Sequence, residues 1–285
     1  MTQQDPVTQG EPMTDPGKYI VRENKLRHCL NLIQIMNFVF RHTSRIVIFL
    51  ATHPNLPEHM TPAEAWSIMD ASSCCSSPGM FWYTEGMPVI ITQNVHVSLG
   101  ISNGKEGKAS GFILDPASKV YQVKSESACE FHIVDRPLAC LLIEVHDPKH
   151  DALEELPHNV IPVYPLMAYV TYKKSPRSVY NFRRFQIPCT PGFAITDYRA
   201  QGKTFDNITI DFTTKARNLS QHKIFCFLYV ALSRCRTGSE VSLLTPLSIG
   251  QFLSRPSNLL SKEMERLQGL AHKTEEMLCC GRTHY

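Results

Sequence analysis

Two segments constrain the fold of this 285-residue chain more than any others. Phe193-Ala-Ile-Thr-Asp-Tyr-Arg-Ala-Gln-Gly-Lys-Thr204 runs from an apolar stretch into a Gln-Gly turn, then into Ile208-Thr-Ile-Asp-Phe212, which alternates as a strand does. After a gap, Leu228-Tyr-Val-Ala-Leu-Ser-Arg234 reads as a helix ending in an arginine. Strand, polar turn, strand and helix in succession call for an α/β layer. A polar turn beside a helix that delivers a cation suits one half of a nucleotide-binding cleft.

The same grammar is visible at the start. Residues 18 to 42 read as a helix, with Leu26, Leu30, Ile33, Met36 and Val39 close to helical spacing, and Ile46-Val-Ile-Phe-Leu50 follows as a buried strand. Thr61-Pro-Ala-Glu64 combines a capping hydroxyl, a proline at the first helical position and a carboxylate three residues after the cap, so a short helix starts there. Ser72 to Gly79 reads as an exposed turn. From Phe81 to about Pro188 the pattern changes to short β runs at 89–92, 111–114, 119–123, 140–145 and 168–172, the spacing of a small antiparallel barrel or sandwich. Asn103-Gly-Lys-Glu-Gly107 is a strong turn signal within it. A last strand is expected near Val241-Ser-Leu-Leu244. Ser257 to Cys280 reads as a surface helix packing back on its own domain, with a partner-binding role as the alternative.

Length and composition exclude little. With 43% hydrophobic and 19% charged residues the chain is ordinary for a globular protein, and a net charge of +3 makes no case for nucleic acid by itself. Met1 to Gly17 is polar without an apolar signal core and is expected to be a disordered leader. The apolar stretch from Cys29 to Ala51 is broken by Asn31, Gln34, Asn37, Arg41, His42 and Arg45, which argues against a membrane span. Ten cysteines include no Cys-x-x-Cys, so neither a zinc site nor a disulfide framework is expected. The expected setting is intracellular, nuclear or cytoplasmic, with reduced thiols. His146 and His150 are four apart, but Pro148 between them opposes a helical metal pair. No metal site is expected.

Gln201-Gly-Lys-Thr204 ends like a phosphate loop without being one. That motif needs a glycine where this chain has Asp197, and a helix where a strand follows here. The candidate for chemistry is instead Arg234. An arginine that reaches across a two-lobed cleft and neutralises charge on a γ-phosphate is worth ~10³ to 10⁵ in rate. Its plainer role is a cation complementing a helix C-terminus, worth about 0.3–1 kcal/mol. Residues 156 to 196 contain no Asp or Glu, although the chain has 26. Inside that window Tyr169, Tyr172, Tyr180, Phe182 and Phe185 interleave with Lys173, Lys174, Arg177, Arg183 and Arg184. Cations for phosphates and rings for bases suit single-stranded nucleic acid. The alternative is a barrel strand with core aromatics and a solvated cationic rim. The two readings are not exclusive.

Together these segments resemble superfamily 1 DNA helicases of the PIF type, including the Helitron-associated ones, from about Tyr19 onward. Phe193 to Thr204 resembles motif V and Leu228 to Arg234 motif VI. Gly86-Met-Pro-Val-Ile-Ile-Thr-Gln-Asn94 resembles the exit from the second RecA-like lobe into its inserted barrel, and Asn103 to Gly107 the turn that opens it. The resemblance implies an α/β fold, a RecA-like second helicase lobe with an inserted small β-barrel. Residues 18–80 and 191–250 would form the lobe, 81–190 the barrel, and 251–285 a terminal helix and tail. It implies that Asn94, Thr196, Tyr198, Arg199, Lys173, Lys174, Arg183 and Arg184 meet DNA. Gln201, Gly202 and Arg234 would meet nucleotide, with Arg234 as the catalytic finger, and Asn31 would occupy the asparagine position of motif IV. ATP and Mg2+ would be bound only with a first lobe supplied elsewhere, since the phosphate-loop lysine and the magnesium-holding acidic pair are absent. Where many relatives have Val-His-Lys-Ser, this chain has Asp197-Tyr-Arg-Ala200, which puts a carboxylate in a DNA-facing turn. The partner implied is single-stranded DNA.

A second class of function is a non-enzymatic nucleic-acid-binding remnant of a transposon helicase. A Cys- or His-dependent hydrolase has little support, because neither a Gly-x-Ser-x-Gly elbow nor a His-Glu-x-x-His motif occurs.

Overall fold

The computed structural model describes residues 17–42, 45–68, 77–123, 130–146, 156–175, 178–212, 220–253 and 255–280. Lys18–Val21, expected to open a helix, is instead a strand inside a four-stranded parallel sheet, between Ala194–Thr196 and Ile208–Asp211, with Val241–Leu243 outermost. Ile20 stands opposite both Ile195 and Ile210, and all three are fully buried. Near-continuous burial along these strands is what a parallel sheet requires, because helices cover its faces. Phe212, Phe227, Leu228 and Ala231 close one face, the last three from helix Gln221–Leu232.

Helix Asn24–His42 buries Leu30, Ile35 and Val39. It also buries Asn31, whose amide bonds both backbone groups of one residue: Nδ2 donates to Ala194 O at 3.2 Å and Oδ1 accepts from Ala194 N at 2.8 Å. Ala194 sits on the edge strand, so Asn31 satisfies a sheet edge that would otherwise be open to another chain. Asn31 is thus the pin between helix and sheet.

The long excursion between these parts holds three further sheets. Met80–Tyr83, Ile46–Leu50, Phe131–Val134 and Val120–Val123 form a mixed sheet. Cys189–Pro191, Pro88–Ile91, Glu106–Ile113, Cys140–Glu144 and Val160–Val163 form an antiparallel one. Leu166–Ser175 and Ser178–Gln186 form a long hairpin. The mixed and antiparallel sheets share one core, with Phe49 and Phe81 from the first and Leu141 and Ile143 from the second.

Two expectations change here. Ile46–Leu50, expected in the α/β lobe, pairs in parallel with Phe131–Val134 inside the excursion. An apolar run specifies burial but not its partner. The β runs are divided among three sheets, with 119–123 in the mixed sheet, 89–92, 111–114 and 140–145 in the antiparallel one and 168–172 in the hairpin, so the described strands do not close into a barrel; each sheet has two end strands. The β runs themselves fall where expected. The turn at Asn103–Gly107 forms with Gly104 at φ 91°, a left-handed conformation that glycine adopts without strain. The Thr61 cap forms in full: Glu64 N donates to Thr61 Oγ1 at 3.2 Å and Thr61 N to Glu64 Oε2 at 3.0 Å.

Helix Asn258–Cys280 does not pack back as expected. Leu259 is 81% exposed, and Met264, Leu267 and Leu270 are also exposed. No described helix is long and apolar enough to cross a membrane. The leader, the turn at 72–76 and the His150 end of the histidine pair lie outside the described residues.

Candidate functional site

The Gln201-Gly202 turn lies 32 positions before the helix-terminal Arg234 at the nearest, yet the arginine contacts the residues on either side of it. Gly202 has φ 72° and nothing near an added Cβ, so the turn needs glycine for its backbone and not for room. Arg234 Nη1 donates to Lys203 O at 3.1 Å and to Ala200 O at 3.4 Å. Its Nε donates to Val230 O at 2.8 Å and its Nη2 to Ser233 Oγ at 2.7 Å. Phe205 N returns a bond to Arg234 O at 2.9 Å. One guanidinium therefore caps the last helical turn and frames the Gln201-Gly202 bend. The fork geometry of arginine allows both at once.

Position matters as much as contact. After the bend the chain runs to Asn207, whose carbonyl accepts from Lys18 N at 3.0 Å, so this segment lies along the edge where the parallel strands begin. Open α/β sheets bind ligands at the opposite, carboxyl edge. Arg234 beside Phe205 does not contribute to such a self-contained crevice.

A polar junction that sequence reasoning missed ties this bend to the antiparallel sheet. Glu106 Oε2 accepts from Lys18 Nζ at 3.0 Å, and Glu106 Oε1 accepts from Lys203 Nζ. Lys18 also donates to Gly192 O at 2.6 Å and Lys203 to Gly104 O at 3.2 Å. On its far side the same turn is held by Asn94, whose Oδ1 accepts from Asn103 N at 2.9 Å. Burial pushes the Glu106 carboxyl up, but the charges and hydrogen bonds of Lys18 and Lys203 outweigh it and hold the acid below its usual range. Arg199 lies nearby. Burial lowers its pKa against the pull of Glu106, and its Nη1 is buried without a partner.

Glu106→Gln is expected to cost about 1.5–3 kcal/mol in urea unfolding, the value of hydrogen bonds to charged groups. The pH dependence follows from the depressed acid. The contribution is complete above the unfolded pKa near 4.5 and is lost as pH falls through the lower folded value. The variant should lack that acid limb.

The remaining candidates sort by burial. Tyr198 is 74% exposed, and Gln201 and Asn94 are exposed. Thr196 is buried. Asp197, expected to face DNA, is turned inward with Oδ1 unpartnered. Burial raises its pKa, against a hydrogen bond from Tyr198 N and the charge of Arg22. The departure from the usual motif therefore puts a carboxyl inside the fold and not against a strand.

The hairpin alternates strictly. Val170, Tyr172, Tyr180 and Phe182 face inward onto Leu56, Met60, Ala65 and Ile68. Tyr169, Lys173 and Arg183 face outward. Arg184 corrects a sequence expectation: it is 0% exposed and cannot reach DNA. Its guanidinium donates to Ile68 O, Ser77 O and Ala65 O at 3.1, 3.0 and 2.5 Å, and to His53 Nε2 at 3.2 Å. Lys174 lies on the same hairpin, with its side chain outside those described. Period-two reading of the hairpin separates Arg183 from Arg184.

No family model matches the chain, and no curated protein matches its sequence. Solved structures do. A Candida albicans Pif1 helicase superposes with a TM-score of 0.53 at 16% identity, over 91% of this chain and 52% of that one. Pif1 helicases described as coordinating in DNA unwinding at forked duplex give 0.52 at 17%, over 92% and 46%. The chain has the fold of part of a Pif1 helicase. A Bacteroides Pif1 bound to single-stranded DNA gives 0.51 at 18%, over 91% and 46%. The chain spans about half the length of these Pif1 chains.

Proposed function

We propose that this chain acts as the second lobe of a PIF-type, ATP-dependent DNA helicase. It would supply one wall of the nucleotide cleft and part of the path for single-stranded DNA. The observation that carries this reading is the contact of Arg234 with Ala200 O and Lys203 O, on either side of the Gln201-Gly202 bend, at the strand-entry edge of the parallel sheet. Gln201, Gly202 and Arg234 face the nucleotide. Asn94, Tyr198 and Arg199 line the strand side, with the exposed Tyr198 ring available for stacking, whereas Thr196 is buried and does not reach the strand. ATP and Mg2+ fit this wall only in part. The bend and Arg234 offer donors to phosphate, but among the described residues no group of His, Cys, Asp and Glu could hold a metal ion. On this reading magnesium and the phosphate cradle would be supplied by a first lobe. The inserted strands take the place of the small barrel, and the Helitron association rests on the sequence motifs.

The second reading, a nucleic-acid-binding remnant, draws on how fully Arg234 is engaged with its own backbone. Steady-state ATP turnover by the purified chain, with and without single-stranded DNA, tests the half-site. No turnover above background is expected. Robust turnover would show that the chain holds a complete cleft.

A further inference from the structure

The outward face of the hairpin Leu166–Ser175 and Ser178–Gln186 is not used by the half-site. Across it stand four facing pairs: Met167 with Phe185, Tyr169 with Arg183, Thr171 with Asn181, and Lys173 with Val179. They span roughly 20 Å at the strand rise of ~3.4 Å per residue. No carboxylate lies among them, nor anywhere from residue 156 to 196. Tyr169 is 64% exposed, and the Arg183 guanidinium sits 5.3 Å from its ring centroid. The cation covers one part of the tyrosine and leaves aromatic surface free. Arg183 is held in register from below, where its backbone N–H donates to Asn55 Oδ1 at 2.7 Å. Neither Arg183 nor Lys173 has a carboxylate partner among the described residues.

At the foot of the hairpin Phe185 opens into a groove of about 380 Å³ walled by Tyr164, Pro165, Leu138 and Thr52. Tyr164 is exposed there. Asp115 and Arg136 also line this groove, as an ion pair at 3.7 Å, and Asp135 lies 3.5 Å from Arg136. Charge is therefore divided along the face. The groove has aromatic walls and pairs its one guanidinium with two carboxylates, while the ladder beside it is cationic. That division suits a ligand with flat apolar faces on one side and phosphates on the other. A duplex hides its base faces, and an acidic peptide has no use for the aromatic platform.

We infer that this face is a second contact surface for single-stranded nucleic acid, with Tyr169 as a base-stacking platform. Arg183 and Lys173 follow the phosphates, and the Tyr164–Phe185 groove receives a base. This rests on the strand-binding reading above but adds a site on a different part of the molecule.

The test is fluorescence anisotropy of the full chain with a labelled oligo-dT and with a duplex of equal length, at several salt concentrations. Tyr169→Ala is expected to weaken oligo-dT binding about five- to a hundred-fold, the loss of one base stack. Tyr169→Phe keeps the ring and should bind within about threefold of wild type. Arg183→Glu should weaken binding and lower the salt slope by about 1 or more. Thermal midpoints close to wild type will show that these exposed positions do not act through folding. Wild-type affinity in both Tyr169→Ala and Arg183→Glu overturns the hairpin surface while leaving the half-site reading intact. Equal affinity for duplex overturns stacking. A wild-type chain that binds neither ligand at low salt removes the strand-binding reading itself, and this surface with it.

Discussion

Arg184→Leu is expected to destabilise the fold by about 3–5 kcal/mol, read as a fall in the urea midpoint at unchanged slope. The substitution keeps an apolar stem but leaves the carbonyls of Ala65, Ile68 and Ser77 without their donor inside the fold. A buried polar group that loses its partner costs about 1–3 kcal/mol, and the three share one relaxation, so the costs do not simply add. Arg184→Lys should recover little, because an ammonium cannot reach three acceptors in a planar fork. Arg183→Leu, one residue away and on the outer face, is expected within about 0.5 kcal/mol of wild type. Equal losses at the two positions would contradict the assignment of faces.

The same cluster predicts acid sensitivity. Burial first, and then the charge of Arg184, lower the His53 pKa from 6.5 to about 4. The neutral ring is the form that accepts from Arg184 Nε. A depressed pKa means that the unfolded chain takes up the proton more readily. The contribution is complete above pH 6.5 and is lost as pH falls toward about 4. The urea midpoint should decline across that window in wild type, and the decline should be shallower in His53→Gln.

These expectations show where sequence was informative. Ile208–Asp211 was legible as a strand, and the Thr61–Glu64 capping box was legible in full, because both are written in neighbouring residues. Ile46–Leu50 was legible as a buried strand but not as a member of the excursion, since its partner Phe131–Val134 lies some eighty residues on. Glu106 was invisible for the same reason. Its lysines are 88 and 97 positions away, and a lone carboxylate in a glycine turn reads as a solvated one. Arg183 and Arg184 look alike in a basic run until the hairpin register puts them on opposite faces. Asp197 was read from the motif it departs from, and the strand-to-helix bend instead turns its side chain inward.

The second large effect concerns Arg234. In an assembly completed by a phosphate-loop lobe, Arg234→Ala is expected to lower ATP turnover by ~10³ or more, the scale set by arginine fingers in other nucleotide hydrolases. Two losses combine. The cation that would meet the γ-phosphate goes, and the bend loses the donor to Ala200 O and Lys203 O that frames it. Arg234→Lys retains charge but cannot serve the helix end, the bend and a phosphate together, so it should remain severely impaired. The side chain's four acceptors in the chain alone describe its resting arrangement. Engaging a phosphate would exchange the weak 3.4 Å bond to Ala200 O first.

The decisive measurement is therefore DNA-stimulated ATP turnover by this chain mixed with the first lobe of a Pif1 helicase, compared with that lobe alone. Stimulation by the wild-type chain that Arg234→Ala abolishes is the result expected of a wall that closes on its ligand from one side. Equal turnover with the wild-type and Arg234→Ala chains would mean that the guanidinium only ties a helix to a loop.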